Sequence, residues 1–170
     1  MSETSTAAVS REGSSLGGLD AETRRALANE LNALIADHYA LELRTLVCRS
    51  RASGLHSHSL QDMLEQHAST LHGSTRKLAA RVCSIGAATL STLSELALHQ
   101  RLRTIGSADT ADVGRMLELL ECNQQLVEYI REAHALFDLH GDVTSARVIA
   151  ASLEEAEQRS LQLLQIVKHT

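Results

Sequence analysis

The sequence predicts an all-α protein in which four long helices gather into one bundle, and three observations predict it. The 170 residues contain no proline and only 2% aromatics, so nothing interrupts long helices and the core must be built from Leu, Ala, Val and Ile. Apolar residues recur at helical spacing through four stretches of roughly 25 to 30 residues. The β-branched residues are scattered rather than gathered into strand-like runs.

Each element can be justified in turn. Residues 1–19 are small, polar and poor in core residues, and are expected to form a flexible tail. The bundle is expected over residues 20–170. Asp20 offers an N-cap and Glu22 an acidic first turn. Leu27, Leu31, Leu34, Ile35, His38, Leu41, Thr45 and Leu46 then fall on one stripe. Ser53-Gly54 breaks that helix, and Ser59 with Asp62 reads as a capping box opening the second. Its face is Leu60, Met63, Leu64, His67, Leu71, Ser74, Leu78 and Val82, and Gly86 ends it.

A short helix is expected inside the next connection, with Thr92 and Glu95 as its capping box and Leu96, Leu98 and Leu102 behind them. Asp109 with Asp112 opens the third long helix, through Val113, Met116, Leu117, Leu120, Val127, Ile130, His134 and Phe137 to Gly141. The fourth starts near Asp142 to Thr144 and carries Ile149, Leu153, Ala156, Ser160, Leu163, Leu164 and Val167. Helices this long, about 40 Å each, bury their stripes only against neighbours of equal length. Two short connections around a long middle crossover separate this arrangement from a simple up-down-up-down bundle.

Composition excludes several function classes. No stretch approaches the roughly 20 apolar residues of a membrane span, and residues 1–18 lack an apolar signal core, so a cytoplasmic protein is expected. Cys48, Cys83 and Cys122 are widely spaced without a CxxC pair, and are expected to be small buried hydrophobes. Net charge is -5, and Lys77 and Lys168 are the only lysines. With no basic run to displace counterions from a phosphate backbone, DNA binding is expected to be weak or absent. There is no Gly-rich phosphate loop, no nucleophile with base and orienter, and no aromatic platform for bases.

Particular segments carry a family resemblance. They are Leu31-Asn32-Ala33-Leu34-Ile35-Ala36-Asp37 followed by Leu41-Glu42-Leu43-Arg44-Thr45, Gly54 in the first turn, Leu78 to Gly86 at the end of the second helix, and Gly141-Asp142-Val143-Thr144-Ser145-Ala146 in the last turn. In order, spacing and the helix placed in the crossover, the chain resembles the Dps (DNA protection during starvation) family of the ferritin-like superfamily from about Leu27 to Leu164. The resemblance implies a ferritin-like four-helix bundle, a homo-oligomeric cage of twelve subunits, and a role in stress protection or iron storage.

The family's ferroxidase site lies between two subunits. It uses a His, a second His twelve residues later, a carboxylate four beyond that, and two further carboxylates eleven and fifteen residues after the first. With Gly54 and Leu78 to Gly86 setting the register, those positions here are Arg49, Gln61, Glu65, Arg76 and Ala80. Only Glu65 remains a competent ligand, because iron needs several converging carboxylate or imidazole donors and guanidinium offers none. A register three residues away pairs His58 with Asp62 but then reaches Gly73 and Lys77. The resemblance therefore implies a degenerate ferroxidase centre. Arg49 and Arg76 converging on Glu65 across a subunit interface would replace metal by fixed cations.

Nine histidines raise an alternative. His38, His67 and His134 sit on the predicted inward stripes, so His38 and His67 with Glu42 or Glu121 are candidates for a relocated metal site; the competing reading is buried, hydrogen-bonded imidazoles. His56 and His58 flank the first turn. Asp138 and Asp142 flank the last one, where the resemblance implies a cation pore. Glu154, Glu155 and Glu157 are expected on a solvated face. The function that follows is a cage subunit with a lost or weakened iron centre. Its alternatives are an iron oxidase with a relocated site and a co-assembly subunit for an active paralogous Dps subunit.

Overall fold

The computed structural model describes residues 20–52, 57–103 and 112–169. The predicted tail, Gly54, His56 and Asp109 lie outside the described residues. The elements are α1 (Ala21–Arg51), α2 (Ser57–Ser84), the short α3 (Leu93–His99), α4 (Asp112–Leu139) and α5 (Val143–His169). The all-α, ferritin-like four-helix arrangement expected from the sequence is the one observed.

Local chemistry sets the helix ends. The Asp20 carboxylate accepts from the backbone N–H groups of Glu22 and Thr23 at the start of α1. Thr92 and Glu95 form the reciprocal capping box of α3. The ends of α2 and α4 share one device: Gly86 (φ 76°) and Gly141 (φ 68°) adopt the left-handed conformation. The next residue's N–H then reaches back to Val82 and Phe137 respectively, which is the Schellman closure. Ser59 does not cap α2, which starts two residues earlier; Ser59 lies inside its first turn.

Side-chain contacts fix the helix directions. The Arg115 guanidinium at the start of α4 reaches the Arg51 carbonyl at the end of α1, so these helices run antiparallel. Arg81 near the end of α2 pairs with Asp142 at the start of α5, so these are antiparallel too. It follows that α2 and α4 run parallel, and the chain between them must travel the length of the bundle. It does so beside α1: Asn32 donates to the Ala88 carbonyl, Asp37 holds Arg101, and Arg44 reaches the Leu102 and Arg103 carbonyls.

The core lies between the four long helices, with Leu27, Leu31, Leu64, Leu71, Leu78, Leu126, Ile130, Phe137 and Ile149 among its fully buried members. Three predicted core leucines, Leu46, Leu117 and Leu164, are exposed instead. Cys48 and Cys122 are buried as expected, while Cys83 is exposed on the last turn of α2. No helix among the described residues is long and apolar enough to cross a membrane.

Candidate functional site

The five positions that the resemblance assigns to a ferroxidase centre divide into two groups. Arg49 in the last turn of α1 and Glu65 two turns into α2 meet within one chain, Arg49 Nε standing 3.0 Å from Glu65 Oε2. Gln61, one turn before Glu65, donates its amide to the Ala52 carbonyl at 3.1 Å and so ties α2 to the end of α1. Arg76 and Ala80 are exposed on α2, eleven and fifteen residues beyond Glu65. At the helical rise that separation is about 16 and 22 Å, so one chain does not bring them to Glu65. Glu65 thus has a guanidinium as its neighbour in its own chain. The pair is half-exposed, 45% for Arg49 and 57% for Glu65, and such pairs add little to stability.

The histidines offered as a relocated site have other partners. His38 is fully buried on α1, and both its ring nitrogens are occupied: Nδ1 with the Leu34 carbonyl at 2.7 Å and Nε2 with Ser152 Oγ at 2.8 Å. The carbonyl can only accept, so Nδ1 carries the proton and Nε2 accepts from the serine. Burial, with the positive charge of Arg159 nearby, holds the imidazole down to about 4. His67 on α2 donates from Nε2 to Gln162 Oε1 at 2.6 Å. Burial also lowers its pKa, against the pull of that hydrogen bond. Glu42 faces His72 on α2, 3.3 Å away, and Glu121 is exposed on α4. His134 is not an inward residue: a third of its side chain is exposed, and it pairs with Asp138 one turn on.

The predicted pore acids also differ from each other. Asp142 is committed to the fold. It caps α5 by accepting from Ser145, both N–H and hydroxyl, and it takes the Arg81 guanidinium on both oxygens at 3.0 and 3.1 Å. These contacts hold its carboxyl below the ordinary range despite partial burial. Asp138 keeps an exposed carboxylate. At the first turn His58 pairs with Asp62 at 2.9 Å, both well exposed. Glu154 and Glu157 are exposed, whereas Glu155 turns toward α2 and pairs with Ser74 and Lys77.

Two features lie beyond the residues singled out from sequence. One is Arg159, 4% exposed in the middle of α5, which donates from Nε to Asn123 Oδ1 at 3.0 Å. Asn123 is itself buried and donates to the Ala156 carbonyl and Ser160. Burial brings Arg159 down to about 10. The other is the Asp37–Arg101 pair that fastens the crossover, joined by Glu30 and by the Tyr129 ring under the guanidinium. The spacing Ile149, Ser152, Ala156, Arg159, Leu163 is a perfect inward stripe and could have revealed Arg159. Among the described residues, no three His, Cys, Asp or Glu side chains are grouped as a metal-binding cluster.

Four antiparallel-paired long helices with a bundle-length crossover define a class, and the comparisons specify it. A family model described as a ferritin-like domain matches residues 28–169. The chain belongs to the ferritin-like family. Its fold is also that of several solved Dps structures. DpsC from Streptomyces coelicolor superposes with a TM-score of 0.84 at 17% identity, covering 91% of each chain. An archaeal Dps homologue from Halobacterium salinarum gives 0.83 at 22% identity, over 92% of this chain and 87% of that one. The Vibrio cholerae O1 protein, described as one of the ferritin-like diiron-carboxylate proteins, gives 0.80 at 20% identity, over 89% and 95%. No curated protein matches at a significant level.

Proposed function

We propose that this chain is a subunit of a Dps-like homo-oligomeric cage whose ferroxidase centre has been lost, acting in the cytoplasm in stress protection, iron storage or scaffolding rather than as an iron oxidase. The observation that carries the reading is the Arg49–Glu65 pair. The one carboxylate left at the five corresponding positions already neutralises a fixed cation, and an incoming ferrous ion would meet that cation's charge. Gln61 presents an amide engaged with the backbone, and Ala80 presents nothing.

Self-association has its own support. Tyr39, Leu43, Leu46 and Val47 on α1 and Leu93 and Leu98 on α3 are exposed apolar side chains, the last two 83% exposed. The two helices pack together, and apolar surface of this kind on neighbouring elements favours a protein partner over solvent. A dodecamer is the assembly the family resemblance implies. Weak or absent DNA binding follows from the acidic net charge of -5.

The test is ferrous oxidation by peroxide and by dioxygen on the size-fractionated assembly. Wild type is expected to oxidise iron no faster than the protein-free control. The variant Arg49→His, Gln61→His, Arg76→Asp, Ala80→Glu, which restores four ligands around Glu65, is expected to gain activity. Fast oxidation by wild type that survives Glu65→Ala would overturn the reading and favour a relocated site. Activity appearing only after mixing with an active paralogous subunit would favour co-assembly.

A further inference from the structure

We propose that the space between α2 and α5 beside Arg159 is a binding site for one small monovalent anion, a halide or a flat oxyanion of formate size. The starting point is an unbalanced charge. Arg159 is 4% exposed and uses its Nε toward Asn123; both terminal nitrogens are buried and have no acceptor among the described residues. A guanidinium in that state carries its full desolvation penalty with only part of its hydrogen bonding restored.

The nearest acid does not answer it. Glu155, one turn earlier on α5, is within electrostatic reach. Its two oxygens, however, are turned to Ser74 and Lys77 on α2. Lys77 and Glu155 cancel, which leaves Arg159 as one net positive charge. One polar neighbour adds a donor: His67 donates to Gln162 Oε1, which occupies the amide oxygen and leaves the Gln162 NH2 group for an incoming acceptor.

Space is present on this side. Arg159, Gln162 and His67 line a cavity of about 30 Å³, with Thr70, Gln66, Gln158 and the Glu155 carboxylate, already engaged by Ser74 and Lys77, as its other walls. A water needs roughly 10 to 15 Å³ on the same measure, so the cavity takes a halide or a three-atom anion but not a solvated tetrahedral dianion. The two terminal nitrogens show almost no surface in the unliganded arrangement. Gln66 and Gln158 are the exposed walls of the cavity, and the proposal requires one of them to turn aside for the anion to reach those nitrogens. The end of a guanidinium presents two parallel N–H donors, the geometry that flat oxyanions accept.

The experiment uses the full-length protein and sodium bromide or sodium formate as probes, with Arg159→Met as the reference. Wild type is expected to show a rise in Tm that grows with the logarithm of anion concentration, reaching about 3 to 5 °C at ten times the anion's Kd. Arg159→Met should lack it, and sulfate should shift both proteins alike. Crystals of wild type grown in bromide should show an anomalous peak within about 3.5 Å of the Arg159 guanidinium, a hydrogen-bonding distance for so large an ion. If Arg159→Met does not fold, that peak and its displacement by formate decide the matter. Water alone in the cavity at high bromide, or the same bromide dependence in both proteins, would overturn the proposal.

Discussion

Replacing Asp37 with Ala tests how the crossover is held. Asp37 is completely buried and accepts the Arg101 backbone N–H at 2.6 Å and Nε at 2.9 Å, while Arg101 NH2 stands 2.8 Å from Oδ2. Removing one member of a buried pair costs about 3 to 5 kcal/mol when the remaining charge is fully enclosed. Arg101 is 28% exposed and keeps Glu30 at 2.9 Å, so the expected loss is smaller, about 2 to 4 kcal/mol. For a chain of this size that corresponds to a fall in Tm of about 5 to 15 °C. Asp37→Asn retains an acceptor for the backbone N–H and should lose less. Hydrogen exchange gives the local readout: the Arg101 amide should lose protection in Asp37→Ala before the α1 core amides do. A Tm within 2 °C of wild type, or a double-mutant cycle with Arg101→Ala showing coupling below about 0.5 kcal/mol, would refute the reasoning.

Three further outcomes are expected. Because burial holds folded His38 near 4 while the unfolded imidazole takes its proton near 6.5, the unfolded state gains the proton first. Stability should therefore fall as pH drops from about 6.5 to 4, by roughly 3 kcal/mol when complete; urea midpoints across that window should fall less steeply in His38→Gln. Gly141→Ala meets no atom within 4 Å but is forced to hold φ +68°, so it should lose about 1 to 2 kcal/mol by conformation alone, with Gly141→Asn losing less in the same melt. Glu65→Ala should leave both Tm and the size-exclusion profile unchanged within about 2 °C and one fraction, since its partner Arg49 is half-exposed; dissociation of the assembly would show that the pair also bridges subunits.

Much of the fold was legible because a proline-free chain states its helices twice, through apolar spacing and through Asp20, Thr92, Gly86 and Gly141 at their ends. Faces were less legible than elements. On α1 apolar residues occur nearly all round, and nothing in one chain distinguishes Leu41, which is buried, from Leu43, 64% exposed. On α5 the leucines drew the predicted stripe toward Leu153 and Leu164, whereas the buried line runs through Ser152 and Arg159. Hydropathy penalises an arginine at an inward position, so the residue with the most unusual environment was the one it hid. The Asp37–Arg101 pair spans 64 positions, and no local pattern announces such a contact. For the five positions assigned by resemblance, the sequence supplies residue types, and the structure adds that Arg49 and Glu65 meet within one chain.

What separates a bundle that binds cations from one that does not is the sign of its unsatisfied polar groups. A metal site leaves lone pairs converging on a common point, with protons directed elsewhere. Around Arg159 the balance is reversed, although on the α1 side Glu42 Oε2 is buried with no hydrogen bond among the described residues. The lone pair on His38 Nε2 is taken by Ser152, the oxygen of Gln162 by His67, and the oxygens of Glu155 by Ser74 and Lys77. Hydrogens remain instead, on the two terminal nitrogens of Arg159. A dipositive ion entering there would have to displace existing donors and face a guanidinium with no carboxylate hydrogen-bonded to it, whereas an anion would complete the hydrogen bonding already begun. Reversing that sign requires removing the cation as well as adding ligands. A Glu introduced opposite His67 without replacing Arg159 is therefore expected to form an ion pair and bind no metal.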